Sequence, residues 1–203
     1  MTVVASLIGF STPSLVRDFV FHVRSIRQRK ESYRLLTSGL LHADPIHLAV
    51  NMFCFWSFAE SVEVIHGPRL LLVIYLAAII GGGLLSLVLH RDEPEFRALG
   101  ASGGVSGVIF ASLFLVEGGS IYIFPLPIPI PPTLFAFLFL AVSTWGMQTR
   151  AGNIGHDAHF GGAMIGMVTA AILRPGDVFD QPLLFTGVLA AALGGLAYVS
   201  YRR

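Results

Sequence analysis

The amino-acid sequence predicts an all-α polytopic membrane protein, and three observations lead to that fold class. Of the 203 residues, 54% are hydrophobic and 12% are charged, whereas soluble domains carry about twice that charged fraction. Mean hydropathy is +0.74. The apolar residues fall into runs of about 20, the length that a helix needs to cross a bilayer. A soluble globular domain is excluded because it would have nowhere to bury so much apolar surface.

Five such runs are clear, and a sixth follows them. The predicted core spans cover 46–65, 70–89, 102–117, 132–148 and 157–173. The Gly- and Ala-rich stretch 183–200 is a candidate for an additional C-terminal span. We therefore divide the chain into an N-terminal segment (1–34), a membrane core (35–175) and a C-terminal segment (176–203).

The N-terminal segment starts with an apolar stretch, 2–10, that is too short to span a membrane. It is either the second half of a truncated first helix or a short interfacial segment, and we favour the first interpretation. Residues 15–34 mix basic and apolar side chains, which is typical of a segment at the membrane surface. The basic residues are Arg17, Arg24, Arg27, Arg29, Lys30 and Arg34.

A proline-rich stretch separates the third and fourth spans. Prolines at 125, 127, 129, 131 and 132 exclude a helix there, because proline lacks the backbone N–H and clashes with the preceding turn. We predict an extended connection at 120–132, before a helix that opens near Thr133.

Polar residues inside membrane spans are rare and often functional, and they concentrate in three clusters at the starts of spans. The clusters are His42 to Asn51, which includes His47; Gly100 to Gly107, which includes Ser102; and Gly155 to Gly162, which includes His156, Asp157 and His159. Each also has a structural interpretation. Gly103 and Gly107 form a small-residue packing face, and an isolated Ser, His or Asn in a span is more often structural than functional.

The order of the spans places these clusters on one side of the membrane. Successive spans alternate in direction, so the starts of the first, third and fifth spans share a side. His47, Ser102 and His159 are therefore expected at similar depth, and His47 lies one helical turn before Asn51 on the same face.

This set of side chains suits acyl transfer. A serine hydroxyl needs a neighbouring base, and imidazole titrates near the working pH. The oxyanion needs donors, which Asn51, His47 and the backbone N–H groups of the turn at 100–103, Ala101 among them, can supply. Asp157 stands on a nearly opposite helix face from His159, so we predict a Ser–His dyad without an acid. His156 is the rival base.

No cofactor and no metal are expected. The sequence has no His-Glu-x-x-His motif, and the histidines at 42, 47, 156 and 159 have no carboxylate at ligand spacing within a span. Net charge is +1 with no basic stripe, so nucleic acid is not an expected partner.

Over about two-thirds of its length, from Tyr33 to Leu173, the sequence resembles the rhomboid intramembrane serine proteases. The resemblance is carried by Gly-Ala-Ser-Gly at 100–103 and Ala-His-Phe-Gly-Gly at 158–162, and by His42, His47, Asn51, Glu63 and Gly67. It implies a rhomboid-like helical bundle embedded in the lipid bilayer, which cleaves transmembrane protein substrates.

The resemblance also implies a role for each matched residue. Ser102 would attack the scissile carbonyl and His159 would transfer the proton. Asn51, His47 and the Ser102 backbone N–H would donate hydrogen bonds to the oxyanion. The glycines at 100, 103 and 162 would support the site, the last by letting two helices approach closely.

Three features depart from that family pattern. The first helix of the family is incomplete in the segment 2–10. Ser106 stands where many members have an aromatic ring against the catalytic His. All Lys and Arg residues except Arg69 and Arg174 would lie on the active-site side, which is the reverse of the positive-inside tendency if that side faces outward.

Two other functions fit parts of the sequence. One is a catalytically silent rhomboid-like protein that binds transmembrane clients. The other is a small transporter with a histidine proton relay, which predicts inverted repeats that the sequence does not display. Our expectation is a multi-pass enzyme of a prokaryotic inner membrane.

Overall fold

A computed structural model describes residues 1–116, 118, 121–123, 126–150 and 154–202 of the chain. The N-terminal part consists of short elements: helices α1 (Thr2–Ser11) and α2 (Pro13–Phe19), strand β1 (Phe21–His22), helices α3 (Val23–Arg29) and α4 (Arg34–Thr37), and a 3₁₀ turn at Ser38–Leu40. From Pro45 onward the described chain is mostly long helices.

The long helices match the predicted spans closely. They are α5 (Pro45–His66), α6 (Pro68–Leu89), α7 (Ser102–Leu115), α8 (Pro132–Thr149), α9 (His156–Leu173) and, after the short α10 (Pro175–Phe179), α11 (Pro182–Arg202). By length and composition α5, α6 and α11 could each cross a membrane. The predicted all-α membrane bundle is therefore confirmed. Residue 117, the predicted end of the third span, and Arg203 lie outside the described residues.

Local sequence signals explain where α5 begins and ends and where α6 begins. The Asp44 carboxylate caps α5 by accepting a hydrogen bond from the His47 N–H (2.8 Å), and Pro45 occupies the first helical position. Gly67 ends α5 with a positive φ of 84°, and Pro68 starts α6 directly after it. The two spans are thus joined by a single residue.

Helix α7 is the central helix of the bundle. It packs against α5, α6 and α9, and every one of its residues after Ser102 is buried. Its 14 residues correspond to about 21 Å, which is shorter than a hydrocarbon core of about 30 Å. A helix of this length is surrounded by protein rather than lipid.

Glycines let α9 lie in backbone contact with α7. A Cβ added at Gly162 would lie 2.0 Å from the Gly103 carbonyl oxygen, and one added at Gly166 would lie 2.3 Å from the Gly107 oxygen. On the α6 side, a Cβ at Gly82 would lie 2.5 Å from the Ala158 oxygen. The three helices can approach this closely only because these positions carry no side chain.

Two pairs of short antiparallel strands complete the described fold. Strand β1 pairs with β2 (Arg97–Ala98), which ties the N-terminal segment to the loop before α7. The proline-rich stretch is extended, as predicted, and forms β3 (Ile121–Ile123) and β4 (Leu126–Ile130). Residues 120, 124 and 125 of that connection lie outside the described part.

Arg34 differs from the other basic residues of the N-terminal run, which remains a predicted surface segment. Its side chain is buried, and its guanidinium donates to the backbone oxygens of Arg17 and Val20 at 2.9 Å and to the Glu31 carboxylate at 2.5 Å. Arg34 therefore holds α2, β1 and α4 together, which charge patterning in the sequence does not predict.

Candidate active site

Ser102 is the first residue of α7, and two hydrogen bonds fix the turn that precedes it. The Gly100 N–H donates to the Ser38 oxygen (3.0 Å), and the Ala101 N–H donates to His42 Nε2 (3.3 Å). Gly100 has a φ of +132°, which disfavours any residue with a side chain. The segment at 38–42 therefore sets the position of the nucleophile candidate.

The role of His42 follows from its hydrogen bonds. Because Nε2 accepts from Ala101, the proton sits on Nδ1, which donates to the Ser6 hydroxyl (2.9 Å), and Ser6 in turn donates to the Leu40 oxygen (3.0 Å). Burial lowers the pKa of His42 to about 4, so the ring is neutral at pH 7 and can act as an acceptor.

The hydrogen bond to His42 changes the predicted set of oxyanion donors. The Ala101 N–H already has an acceptor. The Ser102 N–H makes no hydrogen bond within the described part of the chain, and it is therefore the backbone donor of this turn that remains available.

We expect His42 to make stability depend on pH. Its folded-state pKa of about 4 lies below the unfolded value of about 6.5, so its contribution is complete above pH 6.5 and is lost as the pH falls toward 4. The difference in thermal unfolding temperature between wild type and His42→Gln should shrink over that window. A difference that stays constant from pH 7 to 4.5 would contradict this assignment.

His47 and Asn51 lie beside Ser102, on the first two turns of α5. His47 Nδ1 accepts from the Ala43 N–H (3.4 Å), which leaves Nε2–H as a donor. A Cβ at Gly100 would lie 3.0 Å from His47 Nε2 and 3.7 Å from the Ser102 hydroxyl, so the ring edge is next to the nucleophile candidate. Asn51 is buried and donates one amide hydrogen to the His47 oxygen (3.0 Å), which leaves its second hydrogen free to donate.

The two histidines at the start of α9 have different surroundings. The His156 ring lies against α8, where a Cβ at Gly146 would come within 2.3 Å of its Cδ2 atom. Its centroid is 6.4 Å from that of His159. Both histidines line the same cavity as Ser102, so the packing of His156 on α8 is what distinguishes them. Among the described residues, no hydrogen bond joins the Ser102 side chain to the His159 side chain. Hydrogen bonds between catalytic groups are often long before substrate binds.

The cavity that contains these residues has a volume of about 940 Å³. Ser102, His159, His47 and Asn51 all line it, together with residues of α5, α6 and α8. Residues of α5 and of α8 both line the cavity, and within the described part these two helices make at most marginal contact with each other. The cavity is therefore not closed by direct packing of α5 against α8.

The carboxylates near the site do not pair with His159. Asp157 is buried and directed to α6, where its Oδ2 atom lies 3.2 Å from His90 Nε2. Asp44 is engaged in capping α5. Ser106 is buried one turn after Ser102. Sequence reasoning missed His90, since only the folded chain brings the end of α6 to the start of α9.

Comparison with known proteins matches this chain to a single family. A family model described as the Rhomboid domain matches residues 29–176. The chain is 26% identical over 182 residues to the RHOMBOID-like protein 12, mitochondrial, of Arabidopsis thaliana, covering 82% of this chain and 54% of that protein. It is 29% identical over 177 residues to the Rhomboid protease GluP of Bacillus subtilis, covering 86% and 33%.

A yeast relative adds a third case. The chain is 32% identical over 142 residues to the Rhomboid protein 1, mitochondrial, of Saccharomyces cerevisiae, covering 66% of this chain and 40% of that protein. This chain thus spans a third to about half of the length of these relatives. The family match supports an integral membrane protein. The relatives include mitochondrial proteins as well as a bacterial one, so the comparisons do not support the expected prokaryotic location.

Proposed function

This chain belongs to the rhomboid family, and from that premise we propose that it is an intramembrane serine endopeptidase with a Ser102–His159 dyad. The observation that carries the proposal is the cavity shared by both residues, held together by the glycine contact between Gly103 on α7 and Gly162 on α9. The matched Bacillus subtilis relative carries the name of a protease.

The proposed reaction proceeds in two steps. His159 accepts the Ser102 hydroxyl proton as the oxygen attacks the scissile carbonyl, and it then returns that proton to the leaving amine. Water hydrolyses the resulting acyl-enzyme with His159 again as base. The oxyanion would accept hydrogen bonds from the Ser102 N–H, His47 Nε2–H and the free Asn51 amide hydrogen. These donors are held in place before the reaction, which is what makes such sites effective.

The substrate class follows from the position of the site. Because α7 is too short to cross the hydrocarbon core, we place its first residue, Ser102, below the membrane surface. The weakly closed side between α5 and α8 would admit a polypeptide from the bilayer. We therefore assign transmembrane proteins as substrates, cut in or near their spans.

Replacing the two histidines separately tests the base assignment. His159→Ala should abolish cleavage of a transmembrane reporter by the reconstituted protein, because Ser102 loses its base. His156→Ala should leave cleavage within a few-fold of wild type, because that ring packs on Gly146. The measurement is initial cleavage rate at equal amounts of folded protein.

The opposite pattern would show that His156 is the base. Wild-type protein that binds reporters without cutting them, and whose Ser102 resists a fluorophosphonate probe, would instead favour the silent, client-binding function.

A further inference from the structure

Asp157 and His90 form a buried polar contact next to the proposed dyad, and the dyad does not use it. The Asp157 Oδ2 atom lies 3.2 Å from His90 Nε2, and both residues are at most 9% exposed. Ser86, one turn before His90 on α6, is also buried. The contact joins the last turn of α6 to the first turn of α9.

His90 has close neighbours on two other sides. Its ring stacks on Phe96 with centroids 3.6 Å apart and an interplanar angle of 6°. Its second ring nitrogen, Nδ1, lies 3.3 Å from Glu93, and Glu93 pairs with Arg150 at the end of α8 (2.8 Å). These contacts restrict the position of the His90 ring, and Asp157 packs against a ring of restricted position.

The location of Asp157 links this anchor to the proposed chemistry. It lies two residues before His159 in the same helical turn, and the intervening Ala158 presents its backbone oxygen to Gly82 and Gly103. This first turn of α9 has no side-chain cap. The glycine contacts of α9 with α6 and α7 in the described part of the chain bring the helices close together but include no side-chain hydrogen bond. A polar contact such as that between Asp157 and His90 can fix the rotation of this turn and its position along the helix axis.

We propose that the Asp157–His90 pair is a positioning pair that holds the first turn of α9, and with it His159, at the distance from Ser102 that catalysis requires. This inference rests on the proposed function. Asp157 acts through the helix backbone rather than through the His159 ring, because it faces α6. Removing either partner leaves the other buried without its counterpart, which is costly.

The test compares reconstituted wild type with Asp157→Ala, His90→Ala, the double variant and Asp157→Asn. Each single alanine variant should lower kcat about tenfold or more, with KM within about twofold, because small displacements of a catalytic group reduce chemistry rather than binding. The double variant should lose no more than the worse single one. Asp157→Asn retains an oxygen for His90 and should recover part of kcat.

The matched control is Asp177→Ala. It removes an ion pair with Arg174 (2.6 Å) at the opposite end of α9, and it should leave kcat unchanged. Additive losses in the double variant, or an equal kcat loss in Asp177→Ala, would overturn the positioning role.

Hydrogen exchange provides a measurement that does not depend on activity. Backbone amides at the start of α9 should exchange faster in Asp157→Ala and His90→Ala than in wild type and Asp177→Ala. Unchanged exchange would refute the inference even if the dyad is active. Absence of Ser102-dependent cleavage by wild type would refute the proposed function, while the exchange result would still decide whether the pair holds the turn.

Discussion

Replacing Ser102 with alanine is expected to eliminate cleavage of a transmembrane reporter, with a rate loss of about 10,000-fold or more, as for other serine nucleophiles. The reason is that Ser102 supplies the attacking oxygen, whereas Ser106, the other α7 serine that lines the cavity, lies one helical turn farther from the start of the helix. The substitution removes one partly buried oxygen and should not alter the fold. The measurement is reporter cleavage in proteoliposomes, with fluorophosphonate labelling of the same samples.

Ser112→Ala is the matched control for that experiment. Ser112 is also a buried serine of α7, but its hydroxyl donates to the Ile109 oxygen (2.7 Å) and lies away from the cavity. Its replacement should preserve both cleavage and labelling. Cleavage that persists in Ser102→Ala would show that the nucleophile is elsewhere.

Gly162→Ala is expected to have the largest effect on stability. The added Cβ would lie 2.0 Å from the Gly103 backbone oxygen, and a backbone atom inside the central helix has little room to move. We expect the free energy of unfolding to fall by about 2 kcal/mol or more, the usual cost of overpacking at a tight contact. Since α9 would move away from α7, cleavage should fall as well. Thermal or denaturant unfolding in detergent micelles measures the first effect.

The same substitution in α11 provides the comparison. A Cβ at Gly194 meets nothing within 4 Å, so Gly194→Ala should be neutral or stabilise the protein by up to about 1 kcal/mol through helix propensity. Equal destabilisation by both variants would mean that the α7–α9 contact is not the reason for glycine at 162.

The spans and the candidate dyad were predictable from the sequence because they depend on local signals. Hydropathy identified each long helix to within a few residues, and proline and glycine marked the junction at Gly67 and Pro68. The parity of the spans was enough to expect His47, Ser102 and His159 on one side. The proposed catalytic roles came from the motifs and from the family resemblance.

Other features depend on contacts between residues far apart in the chain, which no local pattern encodes. The mixed basic and apolar run at 15–34 predicted a segment at the membrane surface, and it did not predict that Arg34 would be buried against the backbone oxygens of Arg17 and Val20. His42 appeared only as one more polar residue, and its role arose from Ala101, 59 positions later. His90 was not singled out at all.

The sequence by itself determined that this is a helical membrane protein with a serine and histidines at the starts of spans, since burial in lipid demands apolar helices of a fixed length. The tertiary structure alone decided which polar groups meet. Helix rotation and separation, set by glycine contacts of backbone against backbone, bring the start of α9 to the cavity that Ser102 lines, with His156 against α8 and Asp157 against His90.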